Sequence, residues 1–203
     1  MRNVHLTLAM SDYDHICDLT SGAIQAEGIE LTYLNLSVEE IFWRFSKFRE
    51  WDVSEMSMGQ YVGLVSQGDA SLTAIPVFPS RIFRHSAFYV RRDGPVKTPQ
   101  DLVGRRVGIP QWSQTAGIYA RGALMHQYRI RLQDVEWYQT GVNEPGRQEP
   151  VELKLPAGVR VKPVPDKSLN EMLLAGEIDA IITAHPPDAV KQRLLGRRDQ
   201  RIT

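Results

Sequence analysis

The chain has 203 residues, 42% of them hydrophobic, which is enough to bury a core in one domain or in two smaller ones. Its 24 Lys and Arg residues balance its 24 Asp and Glu residues, so no overall positive field favours nucleic acid or an anionic membrane. The single cysteine, Cys17, excludes an internal disulfide. We expect no secretory signal at the start, no membrane insertion and no nucleic-acid partner, and therefore a cytoplasmic location.

Strands and helices alternate along the first 76 residues. Apolar residues at every second position indicate strands, and apolar residues at helical spacing indicate helices. The predicted order is a strand at Val4–Leu8, a helix at Ile16–Ile24, a strand at Ile29–Leu36, a helix at Val38–Phe48, a short segment at Trp51–Met56, a helix at Gln60–Val65 and a strand at Leu72–Pro76. Alternation of this kind predicts mostly parallel sheets flanked by helices.

A second alternating series follows a proline-rich break at residues 76–81. Thr98 is a plausible N-cap, with Pro99 at the first helical position. The stretch Gln139–Pro156 is polar and is expected to be an exposed excursion. The predicted elements are strands at His85–Val90, Arg105–Ile109, Val159–Val164 and Ile178–Ile182, and helices at Thr115–Tyr128 and Lys167–Leu174.

This pattern predicts an α/β protein of two lobes, residues 1–85 and 86–190. Residues 191–203 form a basic, polar tail or the start of a return to the first lobe. The chain stops where a two-lobed protein would return to lobe 1, so we expect that lobe to be incomplete.

Several short segments carry a resemblance to a known family. They are Tyr13-Asp14, Phe42-Trp43-Arg44, Asp52-Val53-Ser54-Glu55-Met56-Ser57, Pro76–Arg81 with Phe83–Ser86, Asp101–Gly108, Gln114-Thr115-Ala116 with Arg121-Gly122, and Gly176–Ala180. Together they resemble the 4,5-dihydroxyphthalate decarboxylase family, from about Leu6 to Val190. The segments 101–108 and 176–180 are shared by type II periplasmic binding proteins in general, so they indicate that fold only.

The resemblance implies a lyase that removes CO2 from a dihydroxylated aromatic dicarboxylate in a cleft between the lobes. It implies no organic cofactor, and a requirement for a divalent metal stays open. The alternative is a non-catalytic solute-binding protein of an ABC transporter that carries a small anionic or aromatic compound. The oligomeric state is left open by the sequence.

Ligands of open α/β sheets bind beyond the carboxyl ends of the strands. Loops 11–15, 55–60, 76–81 and 110–116 are therefore expected to line the cleft. In the last of these loops, the free amides at the start of a helix favour an anion, although ordinary helix capping is an equal alternative. The candidate ligand-binding residues in these loops are Tyr13, Asp14, Ser57, Phe78, Gln111, Trp112, Ser113, Thr115 and Ala116.

Three arginines are candidate clamps for a substrate carboxylate, because a guanidinium binds a carboxylate through two hydrogen bonds. Arg81 and Arg84 are favoured because they lie at the predicted crossing between the lobes. Arg44 lies on an aromatic helix and is a weaker candidate, since it could equally belong to a solvated face.

Decarboxylation of an electron-rich ring requires an acid that protonates the ring carbon. The candidates are His85, His185 and Glu55, with Asp14 as a further carboxylate. A metal site built from Asp12, Asp14, His15 and Glu55 is conceivable, but no recognised ligand spacing supports it, so we predict no metal.

Overall fold

The structure of the protein is a computed structural model, and it describes residues 3–149 and 152–191. Contacts divide the chain into two compact units, Met1–Arg81 and Ile82–Thr203. Each unit is built on a sheet whose strands are mostly parallel. No helix in the described ranges is long and apolar enough to cross a membrane.

Unit 1 contains a three-stranded parallel sheet with the order β2-β1-β3. Its strands are β1 (Val4–Met10), β2 (Ile29–Asn35) and β3 (Val53–Ser54). Its helices are the single turn α1 (Cys17–Thr20), α2 (Val38–Phe48) and α3 (Met58–Ser66), and a 3-10 turn at Asp14–Ile16 precedes α1.

Helix α2 has the limits that its sequence predicts. Ser37 begins it by accepting a hydrogen bond from the Glu40 amide at 3.4 Å, and Arg49 ends it in the left-handed region at φ 52°. Ile41 and Phe45 face the sheet and are buried with Ala9 of β1. This apolar contact holds the helix on the sheet. The parallel pairing of β1 with β3 places the loops that follow these two strands next to each other.

Unit 2 contains a five-stranded sheet with the order β4-β8-β5-β6-β7, in which only the β4–β8 pair is antiparallel. Its strands are β4 (Phe88–Val90), β5 (Arg106–Ile109), β6 (Glu136–Gln139), β7 (Val161–Pro163) and β8 (Ala180–Ile182). Its helices are α4 (Thr115–His126), α5 (Leu169–Leu174) and α6 (Asp188–Lys191), with 3-10 turns at Arg84–Ala87, Pro99–Leu102 and Leu132–Asp134.

Both faces of this sheet are covered, as a mostly parallel sheet requires. Val107 and Ile109 of β5 point into one apolar cluster, which also contains Trp137 of β6. Gly108 lies between them on the opposite face, where a Cβ atom would stand 2.5 Å from Leu169 Cδ2 and 2.8 Å from Ile178 Cδ1. The glycine therefore allows α5 to pack directly on the strand.

Segments 101–108 and 176–180, which indicate the general fold, have structural roles. Asp101 accepts hydrogen bonds from the Thr98 amide at 2.7 Å and from its hydroxyl at 3.1 Å, so the predicted cap is confirmed. The buried Asp179 accepts from the amide, Nε and Nη2 of Arg106 at 3.1 to 3.2 Å, which ties β8 to β5. These segments support the sheet, as expected for fold motifs.

Several sequence-based predictions of local structure are wrong. Residues 72–76 form no strand, since they pair with no other strand of the described chain. The helix expected at 16–24 ends at Thr20, just before Gly22, whose φ is 79°. The expected strand 85–90 begins only at Phe88, after a 3-10 turn.

The polar stretch 139–156 is exposed at residues 144–148, as predicted, but it begins inside the fold. Gln139 ends the interior strand β6, and Thr140 is fully buried. Residues 150, 151 and 192–203 lie outside the described residues. The predicted tail, 191–203, therefore lies outside them except for Lys191.

Candidate functional site

Two loops of unit 1 meet at the carboxylate of Glu55, just beyond the carboxyl ends of β1 and β3, and a third loop reaches Tyr13. The Glu55 backbone amide donates to the Ala9 carbonyl at 3.0 Å, and its side chain is turned back toward the loop that follows β1. Oε1 accepts from the Ser11 amide at 2.7 Å, and Oε2 accepts from the Tyr13 hydroxyl at 2.9 Å. Ser80 of the third loop also hydrogen-bonds Tyr13. Glu55 is 9% exposed, so its carboxylate is held in a fixed, largely dry position.

The phenol of Tyr13 stays protonated in this setting. Burial raises the pKa of Tyr13 most, and the hydrogen bond and negative charge of Glu55 raise it further, while Ser80 lowers it slightly. The charge of Glu55 also acts on Tyr33 of β2. Burial raises the pKa of Tyr33 most, and the charges of Asp12 and Glu55 raise it further. The buried Tyr33 hydroxyl has no hydrogen-bond partner among the described residues. The pair Tyr13–Glu55 thus combines a held carboxylate with a proton donor.

The other candidates of unit 1 are placed differently. Asp14, Phe78 and Arg81 are exposed, and Ser57 is buried at the start of α3. Arg81 has no ion pair in the described part of the chain. The suggested metal ligands Asp12, Asp14, His15 and Glu55 do not gather, because no three His, Cys, Asp or Glu side chains of the described residues form a metal-binding group.

Arg44 is engaged within unit 1. Nη1 contacts Glu40 at 2.8 Å, Nε contacts Glu50 at 2.9 Å, and the guanidinium lies 4.8 Å from the centre of the Trp51 ring. These contacts join α2 to the segment that follows it, and the hydrogen bonds to Glu50 and then Glu40 raise the pKa of Arg44. Its role in substrate binding stays a prediction, while its structural role is clear.

Three candidates of unit 2 lie near the surface. The His85 ring is exposed, and its Nε2 lies 2.8 Å from Oε1 of Gln127. Arg84 is half-buried and has no ion pair within the described ranges. His185 is exposed and follows β8, directly before Pro186. The structure brings Arg84 and His85 onto one 3-10 turn.

The loop that joins β5 to α4 is the most enclosed of the predicted sites. Gln111, Ser113 and Ala116 are buried, and Trp112 and Thr115 are half-buried. The Trp112 ring packs edge-on against Trp137 at 5.5 Å between centroids. This aromatic contact holds the loop on the core of unit 2 and orients its amides.

A carboxylate already lies at the start of α4, and it belongs to the chain itself. Glu149 accepts a very short hydrogen bond from the Trp112 amide through Oε1. Its Oε2 accepts from the Ser113 hydroxyl at 2.7 Å and from the Ser113 amide at 3.3 Å. Ser113 and Thr115, the residues that ordinary helix capping would use, are not the N-cap. The N-cap is Gln114, and its side chain forms no cap hydrogen bond. The predicted anion site is thus geometrically able to hold a carboxylate.

Arg121 lies beneath this loop and is 4% exposed. Its Nη2 donates to the Trp112 carbonyl at 2.5 Å, and its guanidinium carbon lies 3.8 Å from the centre of the Trp112 ring. Burial lowers the pKa of Arg121 to about 10, and the charge of Glu149 opposes that shift. Arg121 therefore remains cationic at neutral pH and supplies positive charge to the start of α4.

Sequence reasoning did not identify Arg121 or Glu149 as parts of this site. A signal existed for Arg121: it lies four residues after Gly117 and three before Leu124, on the face of α4 that otherwise carries small or apolar residues. Glu149 has no comparable signal, since it approaches Ser113 across 36 residues of sequence.

Comparison with known proteins finds one matching family model and two similar proteins of the same name. Residues 81–146 match the family model described as NMT1/THI5 like. The chain is 35% identical over 188 residues to 4,5-dihydroxyphthalate decarboxylase of Comamonas testosteroni, covering 92% of this chain and 57% of that protein. It is 35% identical over 193 residues to the protein of the same name from Pseudomonas putida, covering 95% of this chain and 75% of that protein. The chain thus spans little more than half of the first relative.

Solved structures give weaker similarities. A nutrient binding protein from Burkholderia cenocepacia bound to methionine has a TM-score of 0.43 and 12% identity, with 98% of this chain and 78% of that chain covered. An ancestral arginine-binding protein bound to glutamine has a TM-score of 0.38 and 15% identity, with 95% and 75% covered. Neither identifies a ligand for this chain.

The family match and the parallel sheets of the two units confirm the predicted α/β fold of the type II periplasmic-binding-protein kind. The Pseudomonas putida relative is matched over three quarters of its length. The chain therefore belongs to the 4,5-dihydroxyphthalate decarboxylase family.

Proposed function

We propose that this chain carries the activity that its relatives' names state, the removal of CO2 from 4,5-dihydroxyphthalate or a closely related hydroxylated aromatic carboxylate. The observation that supports this most directly is the cradle at the start of α4, which holds a carboxylate through two backbone amides and the Ser113 hydroxyl. A dicarboxylate substrate needs such a site, because one carboxylate must be held while the other leaves.

The reaction is balanced without a redox partner. The bond between the ring carbon and the leaving carboxylate breaks, its electron pair stays on the ring carbon, and a proton forms the new C–H bond. Each hydroxyl of 4,5-dihydroxyphthalate is para to one carboxylate, so it can feed electrons to the carbon that is protonated. The product of one turnover is 3,4-dihydroxybenzoate. The protein must therefore supply a carboxylate anchor, a base for the hydroxyl and an acid for the carbon.

We assign the base role to Glu55. Its carboxylate accepts hydrogen bonds from the Ser11 amide and the Tyr13 hydroxyl, so it is positioned to take a phenolic proton directly or through Tyr13. His85 and His185 are the proposed acids, since imidazolium can deliver a proton near neutral pH. Arg81 and Arg84, which have no ion pair among the described residues, are the proposed clamps for the second carboxylate.

The test is CO2 release and 3,4-dihydroxybenzoate formation from 4,5-dihydroxyphthalate, with and without an added divalent metal. We expect turnover by the unmodified chain and a loss of at least about tenfold in kcat for Glu55→Gln. The matched control is Glu27→Gln, which makes the same change at an exposed carboxylate without a described contact. Equal rates for the two variants would remove Glu55 from the mechanism.

His85→Asn and His185→Asn distinguish the two proposed acids. The variant that removes the true acid should lower kcat and shift the alkaline limb of the pH–rate profile, and the other should leave both unchanged. Binding of 4,5-dihydroxyphthalate without CO2 release would instead support the solute-binding alternative. Absence of both binding and turnover would contradict both functions for this chain.

A further inference from the structure

Glu149 occupies the place in unit 2 where the sequence predicts that an anionic ligand binds. Segment 147–149 lies directly on the loop 111–113. Arg147 Nη2 donates to Gln111 Oε1 at 3.2 Å, Gln111 Nε2 donates to the Gln148 carbonyl at 2.7 Å, and Glu149 occupies the amides of Trp112 and Ser113. These contacts bury the polar groups that would otherwise meet a ligand.

A second observation shows that an anion is needed here. Only 4% of Arg121 is exposed, and its Nη1 has no hydrogen-bond partner among the described residues. The same nitrogen lies 3.0 Å from where a Cβ of Gly117 would stand, so the guanidinium reaches under the first turn of α4. A buried cation without a nearby negative charge is strongly disfavoured, and Glu149 is the acidic group whose charge acts on it.

We propose that Glu149 is an internal substitute for the carboxylate of an aromatic acid, and that such a ligand binds at the start of α4 by displacing it. The ligand carboxylate would take the amides of Trp112 and Ser113 and the Ser113 hydroxyl, and its negative charge would replace that of Glu149 above Arg121. A neutral isostere cannot make this exchange, because it would leave Arg121 without a compensating charge. This inference rests on the proposed function only in taking the ligand to be an aromatic carboxylate.

The exchange sets the apparent affinity of the site. A ligand that must displace an internal group binds more weakly in proportion to the fraction of molecules in which the site is free. If Glu149 occupies the cradle in nine molecules of ten or more, its removal should tighten ligand binding by about tenfold or more. The gain should appear for phthalate and should be absent for its neutral diamide, phthalamide.

The experiment compares Glu149→Ala with Glu144→Ala by isothermal titration with phthalate and with phthalamide. Glu144 lies in the same loop, is exposed and gives the same change in net charge, so it controls for a general electrostatic effect. We expect phthalate to bind at least about tenfold more tightly to the Glu149 variant than to the unmodified chain, with no change for the Glu144 variant. Equal or weaker binding by the Glu149 variant would overturn the proposal and make Glu149 an ordinary helix cap.

Glu149→Gln guards against a variant that fails to fold, since it removes the charge and replaces one acceptor oxygen with an NH2 group while keeping the size of the side chain and one acceptor oxygen. Phthalate should raise its melting temperature more than that of the unmodified chain at the same ligand concentration. An equal or smaller rise would overturn the proposal. Turnover of 4,5-dihydroxyphthalate without this gain would refute the displacement alone, whereas the gain without turnover would refute the proposed function alone.

Discussion

The pair Asp179–Arg106 allows a quantitative test of how unit 2 is held together. The Asp179 side chain is 8% exposed and accepts three N–H groups of Arg106, whose own side chain is 40% exposed. Removing one partner of a fully buried pair costs about 3–5 kcal/mol, and an exposed pair contributes at most about 1 kcal/mol. For this intermediate case we expect Asp179→Asn to lower the free energy of unfolding by about 2 kcal/mol at pH 7.

The effect should depend on pH in a definite direction. Burial by itself would raise the pKa of Asp179, but the hydrogen bonds from Arg106 outweigh it and lower the pKa. A carboxyl whose folded-state pKa is lowered stabilises the fold above its unfolded-state pKa of about 3.9, and this contribution is lost as the pH falls through the folded-state value. The difference between Asp179→Asn and the unmodified chain should therefore shrink toward zero in that acidic range.

Urea unfolding followed by far-ultraviolet circular dichroism at a series of pH values measures both quantities. Glu136→Gln is the matched control, because the Glu136–Lys162 pair has side chains that are 52% and 57% exposed and should contribute less than about 0.5 kcal/mol. A loss for Asp179→Asn no larger than that of the control, or a loss that persists unchanged in acid, would refute the reasoning.

Further predictions concern packing and titration. Gly108→Ala should lower the free energy of unfolding by about 1–3 kcal/mol in urea, because the new Cβ would overlap the side chains of Leu169 and Ile178. Gly122→Ala, at a position of α4 where the new Cβ has open space, should raise it by up to about 1 kcal/mol. Trp137→Phe should lower the melting temperature, because it leaves a buried carbonyl without its 2.8 Å indole donor; an unchanged melting temperature would contradict this. Glu55→Gln should lower the pKa of Tyr13, which burial would still keep raised, and NMR titration of labelled tyrosine would detect it. An unchanged Tyr13 titration would show that Glu55 does not act on the phenol.

Local patterns predicted the elements that carry strong periodicity. Helix α2 has the predicted bounds, because a Ser cap, a buried stripe and a C-terminal left-handed residue act within one segment of the chain. The strand expected at 72–76 failed for the opposite reason: a strand requires a partner, and alternating apolar residues cannot supply one. The missed strand β6 lies in the interior of the sheet and is too short, at four residues, to show a clear period.

The candidate site divides in the same way. The sequence by itself determined the α/β class, the family resemblance and the loops that follow the strands, because these depend on periodicity and on contiguous motifs. Only the tertiary structure decided that Glu55 joins Ser11 and Tyr13, and that Glu149 fills the start of α4 above the buried Arg121. These contacts link residues 36 to 44 positions apart in the chain, and such pairings are set by the packing of the sheets and not by any local pattern.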